Sequence, residues 1–267
     1  MRKNLPLVLV SLCFVTGCLA LDGEPFRLNI LSTPQEIQLG EQIAEQVEQK
    51  ENVSTDAELQ AYVTAIGERL ALVATRQDVP YRFTVIDNPD TVNAFALPGG
   101  HIYLYTGLMK LCENEAELAA VMAHEIGHVA ARHHGEAMTR QVGYNFLMQA
   151  VFGEDPGTLI TLTSNFLGTG FMSYYSRENE READALGMEF LFRAGYNPNA
   201  MLSFMHKLRE EERRVGARPL PIFASHPPTQ ERLERLENLV QRYPLSARLE
   251  GPVYEERYRE IVLSRFQ

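Results

Sequence analysis

Cysteine is scarce in this chain, with three in 267 residues. Cys13 lies inside an N-terminal apolar run and Cys18 just beyond it, which leaves Cys112 as the one thiol expected in the folded part. No internal disulfide is therefore expected, and the fold must be held by its core, helped by any metal it binds. Basic residues are also in deficit: 25 Lys and Arg face 35 Asp and Glu, for a formal net charge of -10. Because the acid is spread along the chain, it promotes solubility and excludes a phosphate-tracking surface, so no nucleic-acid partner is expected. Beyond the N-terminal run, no apolar stretch is long and uninterrupted enough to span a bilayer. Internal repeats and low-complexity tracts are lacking as well. The length suits one sizeable domain with a short tail.

At the N-terminus, Arg2 and Lys3 precede the apolar run Leu5 to Val15, which has the length of a secretory h-region rather than a membrane span. The run ends in Val15-Thr16-Gly17-Cys18, which resembles the lipobox of bacterial lipoproteins. Residues 1–17 are accordingly expected to be a removed signal peptide. Cys18 is expected to carry the acyl chains of a membrane anchor, and residues 18–34 to form a tether.

Apolar spacing predicts helices over Gln35 to Lys50 and, behind an Asp56 cap, over Asp56 to Thr75. Tyr81 to Asn88 alternates as a strand, and Asn93 to Met109 reads as strand, Pro98-Gly99-Gly100 turn, strand. A long helical pattern runs from Glu113 to about Met138. Tyr144 to Tyr175 is less regular and largely uncharged, and is read as a helical hairpin filling the core in preference to a mobile cover over a cleft or a membrane-facing patch. Three further helices follow, over Arg177 to Ala194, Asn199 to Arg214 and Thr229 to Tyr243, with a short one after Pro252. The class is α+β, mostly helical with one small sheet. The main domain is placed at 35–245 and a short tail at 246–267.

The densest chemistry lies in "MAHEIGHVAARHH", Met122 to His134. Residues four apart on a helix are about 40° apart in azimuth, so His124 and His128 point the same way and can share one zinc ion. Glu125, turned about 100° from His124, sits at the edge of that face, where it can take a proton from the attacking water. A catalytic zinc takes three protein ligands, so one is missing. His134 stands where a metzincin would place its third histidine, but that pattern needs glycine at the position of Ala131 to break the helix. Since Ala130, Ala131 and Arg132 all favour helix, the helix is expected to run straight. His134 would then lie about 240° around from His128, and both His133 and His134 would sit at the far, solvated end.

The better third ligand lies in "SRENEREADALGMEF", Ser176 to Phe190. Glu180 and Asp184 share a helix face at i,i+4 spacing. Glu180 can complete the ligand set, and Asp184 can accept the second N–H of a ligating histidine. On its own Glu-x-x-x-Asp is a weak signal, but beside His-Glu-x-x-His it gains weight. Glu178 and Glu182 compete with Glu180, but neither is followed by an aspartate four residues on.

Four stretches in order, "NAFALPGGHIYLYTGLM", "ELAAVMAHEIGHVAARHH", "SRENEREADALG" and "SHPPTQERL", carry a resemblance to a known family. It is the HtpX-like and CAAX prenyl endopeptidase family of gluzincin zinc metallopeptidases, and the likeness is greatest to its soluble, exported branch. The resemblance implies a zincin-like domain with the sheet beside the active-site helix. It also implies one zinc on His124, His128 and Glu180, Glu125 as general base, and Asp184 behind the ligands. The strand His101 to Tyr105 would border the cleft and pair with an extended substrate. His226 would stand near the metal, either stabilising the oxyanion or occupying the open zinc position in a closed form. Arg232 would be part of the same site or a structural ion pair. The function implied is a zinc endopeptidase of the bacterial envelope acting on unfolded or misassembled proteins. Leu19 and Ala20 after Cys18 lack the aspartate of inner-membrane retention, so the resemblance favours the outer membrane, facing the periplasm. The competing expectation is a holdase or assembly lipoprotein with a normally closed zinc site.

Overall fold

The computed structural model describes residues 29, 31–139, 175–216, 220–227 and 229–266. The expected signal peptide, the expected anchor at Cys18 and nearly all of the Tyr144 to Tyr175 stretch lie outside the described residues. Helix α1 (Thr33–Lys50) starts at Ser32, whose backbone N–H donates to the Gln35 side chain at 2.8 Å, and it buries Leu39, Ile43, Ala44 and Val47 along one stripe. Helix α2 (Ala57–Ala71) has the expected cap, with Leu59 N–H donating to Asp56 Oδ1 at 2.9 Å, and it buries Leu59, Val63, Ile66 and Leu70. Among the described residues no helix is long and apolar enough to cross a membrane.

Three strands form one sheet: β1 (Arg82–Ile86), β2 (Ala94–Ala96) and β3 (His101–Tyr105), in the order β1-β3-β2. β1 runs parallel to β3, while β2 and β3 form an antiparallel hairpin around Pro98–Gly100. β3 is thus the central strand, paired on both sides. This corrects the expectation that His101 to Tyr105 would pair with a substrate, because its backbone groups are already used. The order of strands is set by the crossover through residues 87–93, which the alternation of apolar residues does not encode.

After a short helix α3 (Thr106–Leu111), helix α4 (Glu115–Ala130) runs through the centre of the molecule and is buried from Glu115 to Val129. Asn114 caps it through Glu117 N–H. Two acids in its first turn suit the positive end of the helix dipole, and each has partners despite burial. Glu115 accepts from Tyr62 (2.6 Å), Tyr196 (2.8 Å) and Arg257. Glu117 accepts from Ser203 and Lys207.

The helical pattern expected to run unbroken to Met138 stops at Ala130. Arg132 takes a left-handed conformation (φ 59°), and a new helix, α5, follows, described over residues 133–139. Helix propensity here amounts to a few tenths of a kcal/mol per residue, and tertiary contacts overrule it. The Arg132 guanidinium reaches the buried Glu36 of α1 (Nε to Oε1 3.0 Å) and the Leu31 carbonyl. A non-glycine residue in this region costs on the order of 1–2 kcal/mol, which the charge-assisted bonds offset.

Helix α6 (Arg177–Arg193) begins at Ser176, which accepts from Asn179 N–H at 3.0 Å, and packs along α4. It is followed by α7 (Asn199–Val215), α8 (Ile222–Ser225), α9 (Gln230–Val240), α10 (Leu245–Glu250) and α11 (Glu255–Ile261). The last of these returns to the core: Tyr258 and Val262 are fully buried, and the Tyr258 hydroxyl donates to Met109 O at 2.5 Å. The class is α+β, mostly helical with a small sheet beside the central helix, as expected from sequence.

Candidate metal centre

His124 and His128 lie one turn apart on α4, and their Nε2 atoms converge to 3.1 Å. The facing helix α6 brings Glu180 between them, with Oε1 3.3 Å from His128 Nε2 and Oε2 3.6 Å from His124 Nε2. This convergence depends on two glycines that let the helix backbones touch. A Cβ on Gly127 would stand 2.9 Å from Ala183 O, and one on Gly187 would stand 2.9 Å from the His124 nitrogen. A side chain at either position would push the two helices apart and with them Glu180 and the imidazoles.

His226, at the end of α8, completes the cluster. Its Nδ1 is 3.0 Å from Glu180 Oε1 and 3.3 Å from His124 Nε2, while its Nε2 lies 3.4 Å from Glu125 Oε1. One ligand atom from each of His124, His128, Glu180 and His226 lies within 4.8 Å of the others, and all four residues are buried. The donor set fits a borderline divalent cation that takes nitrogen and oxygen ligands. Two buried atoms here, Glu180 Oε2 and His226 Nε2, have no directed hydrogen-bond partner, the second of them facing Glu125. Glu180 Oε2 does have an ion pair, 2.8 Å from Arg232 Nη1, at an angle too poor for a hydrogen bond.

Behind the cluster, Asp184 Oδ1 is 3.1 Å from His124 Nδ1, whose N–H donates to it, so that a cation would meet Nε2. Arg232, from the first turn of α9, grips Asp184 with two bonds of 2.9 and 2.7 Å. Of the residues singled out in the sequence, His124, Glu125, His128, Glu180, Asp184, His226 and Arg232 are therefore brought together. Cys18 lies outside the described residues.

Charge states follow from this packing. Burial would push the Glu180 carboxyl up, but His226 and Arg232 beside it hold it well below the usual carboxylate range. Asp184 is likewise held down by Arg232 and His124 against its burial. His128 is driven well below an ordinary histidine by burial, against the pull of the Glu180 carboxylate. Burial lowers His124 too, but its bonds to Asp184 and Glu180 outweigh that and raise it to about 9. The proton His124 holds there occupies ground that a cation would take.

His133 and His134 are not solvated, contrary to expectation. The turn at Arg132 swings both inward, to 0% and 5% exposure. His134 Nε2 donates to Ala96 O at 2.9 Å and takes no part in the cluster. His133 Nδ1 lies 3.0 Å from His128 Nδ1, and its Nε2 lies 3.0 Å from Glu182 Oε2. Glu182, a competitor for the third ligand position, is thereby directed to His133, and Glu178 pairs on the surface with Arg181.

Tyr175 is a residue the sequence reading missed. Its ring stacks on His128 (centroids 4.0 Å, 27° between planes) and lies 5.6 Å from His226. A tyrosine just before a helix cap, far from the histidine motif in sequence, carries no spacing signal. Beside Glu125 and His226 lies a small apolar cavity of about 40 Å³ walled by Met201, Phe204, Met205, Leu208 and Ile222.

Residues 57–240 match peptidase family M48. The chain is 35% identical over 218 residues to the beta-barrel assembly-enhancing protease of Escherichia coli (strain K12), covering 78% of this chain and 44% of that protein. It is 30% identical over 257 residues to a putative beta-barrel assembly-enhancing protease of Vibrio cholerae, covering 88% of this chain and 52% of the other. A more distant setting gives a similar match: the mitochondrial metalloendopeptidase OMA1 of Schizosaccharomyces pombe is 33% identical over 178 residues, covering 66% of this chain and 51% of its own length. The chain spans about half the length of these relatives. A family match over most of the chain, joined to a buried cluster fit for a metal, leads to one conclusion: the chain belongs to peptidase family M48.

Proposed function

We propose that this protein is a zinc-dependent endopeptidase of the bacterial cell envelope that cleaves unfolded or misassembled proteins. The observation that carries the reading is the buried cluster of His124, His128 and Glu180 with Glu125 beside it. His124, His128 and Glu180 would hold the zinc. When bound, zinc polarises the scissile carbonyl and makes a water molecule easier to deprotonate.

Glu125 acts as general base: it is 1% exposed and its Oε2 has no hydrogen-bond partner, so it is placed to accept a proton from the attacking water and to deliver it to the leaving amine. Asp184 holds His124 in the required tautomer. Arg232 keeps both Glu180 and Asp184 ionised. The apolar walls beside Glu125 suit a substrate that presents an apolar side chain, as unfolded chains do. A lipid anchor at Cys18 would place the enzyme on the outer membrane facing the periplasm, which agrees with the bacterial relatives named for beta-barrel assembly.

A second reading, a holdase or assembly lipoprotein whose site is normally closed, draws on one specific observation. His226 Nδ1 stands within 3.0 and 3.3 Å of Glu180 Oε1 and His124 Nε2, in the position an incoming substrate group would need. Replacing Glu125→Gln separates the readings. Loss of casein cleavage with one zinc per chain still bound, measured by elemental analysis, supports the peptidase. No cleavage by the wild type under any condition favours the holdase.

A further inference from the structure

His128 is held from behind by a chain of two hydrogen bonds that ends on a carboxylate. Its Nε2 faces His124 and Glu180, its Nδ1 lies 3.0 Å from His133 Nδ1, and His133 Nε2 lies 3.0 Å from Glu182 Oε2. We propose that His133 and Glu182 are positioning residues for the metal centre, fixing the ring plane and the tautomer of His128 as Asp184 does for His124. This inference rests on the reading of His124, His128 and Glu180 as metal ligands.

Bond roles along the chain leave one assignment. For Nε2 of His128 to offer its lone pair to a metal, the ring proton must sit on Nδ1. That N–H can only donate, so His133 Nδ1 must accept and carry no proton. The proton of His133 then resides on Nε2, where it donates to Glu182. Three groups are thereby set in series by a single choice at the first of them. His134 provides the internal contrast: one residue on, it is also buried, but it spends its Nε2 on the Ala96 carbonyl and acts as a structural histidine. Packing completes the clamp, because Tyr175 lies flat on the His128 ring while His133 meets it edge-on, at 73° between planes.

The geometry also explains the break at Arg132. A straight continuation of α4 would carry His133 away from His128, whereas the left-handed turn brings the two Nδ1 atoms together. Glu182 lies on α6, two residues from Glu180 and two from Asp184, so one helix supplies a ligand and the carboxylates behind two others.

The test reads metal affinity and tautomer on the full zinc-loaded protein. Groups placed behind metal ligands typically contribute 10–100-fold to affinity. Chelator competition should therefore show His133→Ala weakening zinc binding by about 10–100-fold, with a smaller loss for Glu182→Gln. His133→Asn should recover much of the loss, because its carboxamide oxygen stands where Nδ1 stood and can accept from His128. An unchanged affinity in His133→Ala overturns the inference. So does an equal loss in His133→Asn, which would mark a packing role. Should His133→Ala fail to fold, nitrogen-15 NMR of the wild-type imidazoles decides: the proton on His133 Nε2 and on His128 Nδ1 is expected, and a proton on His133 Nδ1 overturns the inference. Wild-type protein that binds no zinc refutes the metal reading itself, a separate result.

Discussion

Gly187 of α6 lies against the backbone of His124 on α4, so close that a Cβ there would come within 2.9 Å of the His124 nitrogen and 3.0 Å of its Cα. Backbone contact of this kind sets the distance across which Glu180 meets the two imidazoles. The Gly187→Ala variant must push the helices apart, at a cost of about 1–3 kcal/mol for overpacking. Its zinc affinity should fall more than its melting temperature suggests, because the ligand geometry is strained along with the core. Calorimetric zinc titration beside thermal unfolding checks this; an unchanged affinity would show that the helices can yield without disturbing the cluster.

Removing Arg232 should harm the metal-free protein more than the metal-loaded one. In Arg232→Met, the buried Glu180 and Asp184 lose their shared cation, and breaking such a buried pair costs about 3–5 kcal/mol. A bound zinc restores positive charge next to both carboxylates. Added zinc is therefore expected to raise the melting temperature of Arg232→Met by more than it raises that of the wild type. Equal shifts would mean that Arg232 contributes packing rather than charge.

Acid should destabilise the fold through His134. Burial lowers this group from 6.5 to about 3 in the folded state. Between those values the unfolded chain binds a proton that the folded chain refuses, so stability is full above about pH 6.5 and declines as pH falls towards about 3. The contribution is on the order of a few kcal/mol across that window. In His134→Gln, whose amide can still donate to Ala96 O, urea unfolding between pH 4 and 7, roughly the upper part of the window, should show a shallower slope than in the wild type. Parallel slopes would refute the assignment.

Cys112 should be inert in the native protein. It is 1% exposed, and burial together with the nearby Glu117 raises its thiol well above the ordinary range. Reaction with an aromatic disulfide reagent is expected to follow the global unfolding rate and to become immediate in denaturant. Fast labelling of folded protein would contradict the packing around α4.

How much of this was legible in the sequence depends on how far apart the deciding residues stand. His124, Glu125 and His128 follow from helical spacing alone, and Glu180 with Asp184 from the same rule applied to a second helix. The break at Arg132 was not legible, because the residue that holds it, Glu36, stands 96 positions earlier. Local propensity votes for helix there and loses to a buried charge pair. His133 was misjudged for the same reason: its partner Glu182 is 49 residues away and lies on the face of α6 that the ligand argument had assigned elsewhere. The central place of β3 also escaped the pattern, since a strand buried on both faces reads the same whether it lies inside a sheet or at its rim.

The bond from His134 to Ala96 bears on a hazard that small sheets face. With the order β1-β3-β2, both outer strands could template the pairing of a foreign chain. Residues 52–54 cover β1, through Ser54 N–H to Val85 O and Asp87 N–H to Asn52 O. On the other side the imidazole of His134 occupies one outward carbonyl of β2, that of Ala96. An extended polypeptide can add to β2 only by exchanging its own amide for that ring, one donor for another. Casual strand addition therefore gains little there, and the fold is guarded against recruitment into aggregates through that rim.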